Sequence, residues 1–373
     1  MNKIKKIIII GGGLSAWSVA NSFSNKKNLN VILISKKHLH FGAQQLSPNG
    51  LQSFISLIGH KKISHLVEAI SNFKISLIDN KKINILSNYN LDKNNNIYCS
   101  ISRCKLINEL KKVALKNSNF TIINDEVKYF FKKNMGNTQI LTAKGKLLEA
   151  DIIIGADGYF GKSRNYVCGN ETKPLKKVFR SISLDRNKFS LTKSILQIFL
   201  THYGHFVIYP FKEVKKKFVN YIFVPNKSYR KEEHDPLIKS FHPLLEELNL
   251  ELTYSVDSDE NFSSISKNNV FLFGDAALPI QPHLAQAGNQ ILEDAVYLKK
   301  LVEKNLEREF IISNFVENRF IKKKLLKKHS SLAGKFLSSN NIFSVPRNFI
   351  ISKFSNHLFD DIFGLIWKNN NEK

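Results

Sequence analysis

The sequence is short of cysteine, tryptophan and acids, and it has no long apolar run. Its three cysteines, Cys99, Cys104 and Cys168, form no C-x-x-C pair and no even framework. That excludes a disulfide scaffold and offers no thiolate set for a metal; a reduced, cytoplasmic protein without a metal site is expected. No charge-free apolar stretch reaches ~18 residues, so no membrane span is expected. Acids number 31 against 56 lysines and arginines, giving a net charge of +25. The basic residues are scattered and no nucleic-acid recognition motif accompanies them, so nucleic acid is not an expected partner. Attraction to an anionic surface, with peripheral contact at the inner membrane face, stays open. Stretches such as Lys215–Lys217 and Lys322–Lys328 read as solvated faces. There is no internal repeat and no signal of oligomeric state. With 373 residues, 43% of them hydrophobic, the chain can build a large core and more than one domain.

What is present starts at the N-terminus, "KIIIIGGGLSAWSVANSF" (5–22). Three lysines followed by an apolar run have the outline of a secretory leader. Against that, Gly11–Gly13 interrupt the run, and Ile7–Ile10 is a β-branched block that reads as a fully buried strand. Gly11, Gly13 and Ala16 fit G-x-G-x-x-G/A: a tight turn, a close backbone approach to a pyrophosphate, and a small residue where helix meets strand. A helix over Leu14–Phe23 aims its N-terminus at the phosphates, and a second buried strand, Val31–Ile34, completes a βαβ unit. The bland alternative is a glycine turn in a parallel sheet with no ligand. Where an acid usually ends the second strand to hold a ribose stands Ser35, followed by Lys36 and Lys37.

Two later turns matter. "IIIGADGYFGKSR" (152–164) delivers Asp157 and Gly158 from a buried strand, with Arg164 six residues beyond Gly158. "VFLFGDAALPIQPHLAQAGNQILEDAVYLKKLV" (270–302) delivers Gly274 and Asp275, stiffens with Pro279 and Pro282, and opens a helix at "AQAGN". Its free N–H groups suit a developing negative charge. Glu293 and Asp294 read as acids favoured by that helix start. Between these turns, residues 101–116 have helical spacing and 177–225 are dense in strand formers, suggesting a separate antiparallel sheet. Asn- and Lys-rich stretches near 88–96 and 226–236 read as loops.

Together these segments resemble the class A flavoprotein monooxygenases of the p-hydroxybenzoate hydroxylase fold, in the salicylate hydroxylase-like and ubiquinone-biosynthesis hydroxylase branch. The blocks "GGGLSA", "QLSPNG", "ISRCKLINEL", "GADGYFGKSR", "HFVIYPF" and "GDAALPIQPHLAQAGNQILEDA" occur in the family's order over residues 1–302. Departures from the pattern are Ser35, Gly161, Leu278 and Ala287. The resemblance implies an α/β fold: a Rossmann-like FAD-binding domain (1–70, 97–176 and 264–330) interrupted by an antiparallel-sheet substrate domain (71–96 and 177–263), with a helical C-terminal segment (331–373). It implies FAD as cofactor, NAD(P)H as co-substrate, and O2 as the source of a hydroxyl placed on an aromatic, phenolic small molecule.

Carried over by position, Gly11, Gly13 and Ala16 face the FAD pyrophosphate, with Ser35 at the ribose. Arg103 contacts FAD near the phosphates. Asp157 and Gly158 lie in a groove shared with the nicotinamide cofactor, which Arg164 helps to hold. Gly274 and Asp275 meet the ribitol. Pro282, Ala287, Gly288 and Asn289 line the isoalloxazine. Pro282, Tyr209 and His283 are the candidate catalytic residues, with His202 and His205 as further proton-transfer candidates. A ubiquinone precursor and a small soluble aromatic acid both remain as substrates. A halogenase is disfavoured, because Trp17 and Trp367 are the only tryptophans and W-x-W-x-I-P is missing. A flavin-binding protein without hydroxylase activity, acting as an assembly partner, is the reading from another class. Residues 348–367 place Phe349, Ile350, Phe354, Leu358, Ile362 and Leu365 near helical spacing; that face either packs on the domain or lies on lipid.

Overall fold

The computed structural model describes residues 3–36, 40–59, 63–79, 82–91, 97–133, 137–169, 176–183, 194–213, 216–226, 251–255, 264–339 and 341–367. The isoleucine block forms the strand Lys6–Ile10, with all four isoleucines buried. It lies inside a six-stranded sheet, flanked in parallel by Asn30–Ile34 on one side and Ile152–Gly155 on the other. Phe120–Ile123 extends the sheet beyond Asn30–Ile34, and Val270–Leu272 extends it beyond Ile152–Gly155. Such central strands are apolar on both faces because both are covered: Ile7 and Ile9 pack under helices, and Ile8 and Ile10 pack with Val127 and Ile140 of a three-stranded antiparallel sheet. Helix α1 (Leu14–Ser22) packs its small residues onto the sheet, as the Ala16 position requires. Helices α2 (Pro48–Ile58) and α3 (Arg103–Ala114) complete that layer, and α4 (Lys162–Cys168) follows the second glycine turn.

The strand-forming residues after 176 make the expected antiparallel sheet. Its order is Glu251–Ser255, Lys176–Ser183, Lys216–Pro225, Gly204–Glu213, Ile195–Thr201, Asn72–Asp79, Lys82–Asn90. The segment 72–90 therefore joins this second sheet and pairs with residues from far along the chain, through a parallel contact between Asn72–Asp79 and Ile195–Thr201. Residues 88–90, read from composition as loop, end a strand; 92–96 and 227–236 lie outside the described residues. The α/β fold class holds.

The chain then returns to the first sheet and runs into helices α5 (Gln286–Lys304), α6 (Arg308–Leu337) and α7 (Ser344–Ile366). Helix α6 is continuous for 30 residues and crosses the expected boundary at 330/331, so the C-terminal segment is not separate from what precedes it. Glu293 and Asp294 do not sit at a helix start. They lie two turns inside α5, fully buried, and pair with Arg319, Lys322 and Lys323 of α6. The Arg319 Nε–Asp294 Oδ1 distance is 2.6 Å and Lys323 Nζ–Asp294 Oδ2 is 2.7 Å. The basic run 322–328 is thus partly interior, where a charge needs a partner.

Candidate active site

The three glycine turns converge on one cavity of about 650 Å³. Gly11 is held at φ +129°, and a Cβ there would stand 2.3 Å from the Ala156 carbonyl oxygen, so only glycine fits. Gly13, one residue before α1, differs: a Cβ built on it meets nothing within 4 Å. Its bareness keeps the cavity open, not the protein packed. Neither α1 nor α5 has a side-chain N-cap hydrogen bond or an acid in its first turn. Their leading N–H groups, at Leu14–Ser15 and at Ala287–Gly288, lie along the cavity wall and are free to meet an anionic ligand. Ala285, just before α5, is held in the left-handed region at φ 52°, a strained backbone of the kind found at ligand sites.

Charges of both signs line this wall, four acids (Asp125, Glu126, Asp157 and Asp275) against four cations. Lys36, Arg103, Lys162 and Arg180 all line it. Burial and the neighbouring Arg103 lower the Arg180 pKa to about 10, and its Nε is buried without a hydrogen-bond partner. Asp275 opens into the cavity, yet the protein around it raises its carboxyl pKa, against the pull of Lys323, Arg103 and Arg180. Asp157 accepts from the Ser163 N–H at 3.0 Å, and burial raises its pKa too. Gly161 is required by that carboxylate: a Cβ there would lie 2.2 Å from the Asp157 Cγ. Gly288 makes room for the Gln44 amide, 2.4 Å from its would-be Cβ.

A second cavity of about 470 Å³ abuts the first. Gln45, Pro282 and Ala285 line both. Its other walls come from the antiparallel sheet, through Phe73, Leu196, Ile198 and Val207, and from α6 and α7. No lysine, arginine, aspartate or glutamate lines it among the described residues. At the junction the Tyr98 hydroxyl donates to Gln45 Oε1 at 2.6 Å, and the Tyr209 hydroxyl donates to the Ala43 carbonyl at 3.2 Å. Burial raises the pKa of both phenols, so they stay neutral near pH 7.

The residues expected from the sequence divide clearly. Gly11, Gly13, Ser35, Arg103, Asp157, Gly158, Tyr209, Asp275, Pro282, Ala287 and Gly288 all line the first cavity. Ala16, Gly274 and Asn289 are buried beside it: Asn289 Nδ2 donates to the Ala285 carbonyl at 2.7 Å, and a Cβ on Gly274 would strike Ser15. His283 faces the second cavity, with its ring 5.4 Å from that of fully buried His205. His202 is exposed at a hairpin turn and lines neither. Arg164 needs correction. It is 1% exposed and donates to the carbonyls of Ala276 and Ala277 at 2.7 and 3.1 Å, bracing the turn after Asp275 instead of holding a groove.

Sequence reasoning missed two acids. Asp125 and Glu126 follow the strand Phe120–Ile123 and line the cavity beside Ser35, whose N–H donates to the Ile123 carbonyl at 3.0 Å. Asp125 is committed to its own turn, accepting from the Glu126 and Lys144 N–H groups. The Glu126 carboxylate pairs with the exposed Lys36 and is half exposed. A carboxylate is therefore present where Ser35 supplies none, from the neighbouring strand. Only the sheet order places it there.

A model of the family described as glucose inhibited division protein A matches residues 6–196. The chain is 24% identical over 321 residues, 80% of each chain, to a 3-hydroxybenzoate 6-hydroxylase of Klebsiella oxytoca. Among solved structures it is similar to HpxO of Klebsiella pneumoniae, complexed with FAD and uric acid, at a TM-score of 0.78 and 14% identity over 97% of this chain and 96% of that one. It is also similar to a salicylate hydroxylase in a substrate complex, at a TM-score of 0.76 and 16% identity over 97% and 96%. A 2,6-dihydroxypyridine-3-hydroxylase from Arthrobacter nicotinovorans gives 0.75 and 14% over 92% and 95%.

Proposed function

Because the chain belongs to the glucose inhibited division protein A family and has the class A flavin monooxygenase fold, we propose that it is an FAD-dependent, NAD(P)H-using hydroxylase of a hydrophobic phenol. One observation carries the reading: a polar cavity built from backbone N–H groups and cations shares a wall with an apolar cavity. Bound FAD supplies the redox chemistry, accepting electrons from NAD(P)H and activating O2.

The chain's own residues then have distinct tasks. The α1 N-terminus and Gly13 take the pyrophosphate, and Arg103 balances its charge. Asp275 accepts from ribitol hydroxyls. The α5 N-terminus, at Ala287–Gly288, stabilises negative charge on the flavin ring system, and Arg180 adds to that field. Asp157 and Gly158 border the groove through which a nicotinamide enters. Pro282 holds substrate and flavin at the shared wall, with Tyr209 on the polar side of it. The apolar walls exclude water. His283, which follows Pro282 in the chain and lines the apolar cavity, takes the phenolic proton. The six-stranded sheet with its helices forms the FAD domain, and the seven-stranded sheet forms the substrate domain.

The substrate class follows from what the apolar cavity's walls carry. A benzoate or salicylate needs a cation for its carboxylate, and none lines this cavity among the described residues. A phenol bearing a polyprenyl chain, as a ubiquinone precursor does, matches walls of Phe, Leu, Ile and Val. The test has two arms. Purified protein should be yellow with non-covalent FAD, and its spectrum should bleach with NADH or NADPH under anaerobic conditions. Deleting the host gene should cause an under-hydroxylated quinone precursor to accumulate. Colourless protein that FAD does not reconstitute would overturn the cofactor reading, and unchanged quinones would redirect the substrate to soluble aromatic acids.

A further inference from the structure

The turn between α6 and α7 carries the two most exposed large apolar side chains among the described residues. Ile342, Phe343 and Val345 are 84%, 73% and 70% exposed, and Phe349 and Phe354 follow on α7. Exposed apolar residues one at a time are ordinary; a contiguous group marks a contact surface. This group is continuous with the apolar cavity. Leu332, Ile350 and Leu365 are exposed and also line that cavity, so its mouth opens among them.

Along most of α6 and through the turn into α7 the charge is of one sign, and acids return only at Asp360 and Asp361 late in α7. Between Glu317 and Asp360 the sequence has no acid and nine lysines and arginines. Glu293 and Asp294 pair with three of these, Arg319, Lys322 and Lys323. Arg347 is buried and spent on the Leu337 and Ser339 carbonyls. Lys324, Lys328, Lys335 and Lys353 remain exposed. Apolar side chains set among unneutralised lysines, at the end of a helix pair, complement a surface with anionic headgroups above hydrocarbon. No helix among the described residues is long and apolar enough to span a membrane, so contact would be by partial insertion.

We propose that the α6–α7 turn docks the protein on an anionic lipid bilayer and points the mouth of the apolar cavity at it, so that the phenol enters from the lipid phase. The second half rests on the reading of that cavity as the phenol site; the docking does not. Lysines supply the long-range attraction, and Ile342, Phe343 and Val345 supply insertion.

The experiment is co-sedimentation of full-length protein with vesicles of phosphatidylcholine alone or mixed with phosphatidylglycerol, at low and high salt. The protein should pellet with the mixed vesicles at least ~10-fold more strongly than with the neutral ones. High salt should weaken that binding. The triple variant Ile342→Ser, Phe343→Ser, Val345→Ser should lose at least ~10-fold in vesicle affinity. Its circular dichroism and melting curve should match the parent, since these side chains are exposed. Equal binding by parent and variant, no preference for phosphatidylglycerol, or a parent dimer in sedimentation velocity that the triple variant abolishes would overturn the proposal. The last outcome would assign the face to a second copy of the chain. FAD content and NAD(P)H oxidation with a water-soluble phenol are read on the same samples. Intact redox activity with failed vesicle binding breaks the docking alone; vesicle binding with failed flavin loading breaks the enzymatic reading alone.

Discussion

The two cavities share Gln45, Pro282 and Ala285 but are built by different physics. The polar one is made of backbone: glycine turns at strand ends, helix N-termini, and a few cations that lean on them. The apolar one is made of side chains gathered from strands 72–79, 195–201 and 204–213 and from two C-terminal helices. Backbone features are local, because a turn and a helix start are set by adjacent residues. A side-chain cavity exists only once distant elements have packed. The polar cavity should therefore fail abruptly when one turn residue changes, and the apolar one should respond gradually.

The sharpest break in this contrast comes from the joint that carries both. Arg319 holds Asp294 and Glu293 in a buried network between α5, which starts at the polar cavity, and α6, which walls the apolar one. Arg319→Leu leaves two buried carboxylates short of a partner. A loss of about 3–5 kcal/mol is expected. Urea unfolding should show it, and both FAD retention and phenol binding should fall together. Unchanged stability would mean that the ion pairs are not what fixes the joint.

Within the polar cavity, two neighbouring glycines should behave in opposite ways. Gly11→Ala forces a left-handed φ on a residue with a Cβ and drives that Cβ into the Ala156 carbonyl. The fold should lose about 3 kcal/mol. Gly13→Val faces open space, so the apoprotein melting temperature should hardly move while FAD is lost from the purified protein. Calorimetry on flavin-free samples, paired with flavin absorbance, separates the two. Equal stability losses would show that Gly13 serves packing after all.

This contrast also explains what the sequence disclosed. Gly11, Gly13, Asp157, Gly158 and Asp275 were legible as residues of one cavity because a glycine turn at the end of a buried strand is a local pattern. The buried strands were legible because four isoleucines in succession suit a sheet covered on both faces. Arg164 was misread: guanidinium chemistry suits phosphate and carbonyl alike, and only packing decides. Glu293 and Asp294 were misread because their partners stand 25–29 residues away, on another helix. The apolar cavity left no motif. Its walls are ordinary strand and helix residues whose common address is set by the pairing of Asn72–Asp79 with Ile195–Thr201.

The apolar side should break with pH instead. His205 is fully buried behind His283, and neither of its ring nitrogens has a hydrogen-bond partner among the described residues. Burial, with His283 and Arg347 adding to it, lowers its pKa from 6.5 to about 3. Below pH 6.5 the unfolded chain binds a proton that the folded chain refuses, so acid favours unfolding from 6.5 down to about 3. Above 6.5 both states are neutral and the effect vanishes. At pH 5 the cost is about 2 kcal/mol. His205→Leu should flatten that part of the stability–pH profile, read by urea unfolding at pH 5 and pH 7.5. A variant that loses as much stability on acidification as the parent would assign acid sensitivity to other groups.

The smallest expected effect sharpens the account of the polar cavity. Ser35 stands where an acid commonly holds the adenosine ribose, and its hydroxyl donates to the Lys36 carbonyl at 2.7 Å. The neighbouring strand brings Glu126 to the same end of the cavity, half exposed and salt-bridged to Lys36. A carboxylate there can accept from ribose hydroxyls without disturbing Asp125, which keeps the turn. Glu126→Gln retains shape and removes the charge. FAD affinity should weaken by about 1 kcal/mol, or roughly fivefold, since a charge-assisted bond becomes a neutral one. Ser35→Ala should do less, because its hydroxyl already donates to backbone. Fluorescence titration of apoprotein with FAD compares the two. If Ser35→Ala weakens binding more than Glu126→Gln, the ribose is held by the serine and the second strand end, not the neighbouring strand, carries that contact.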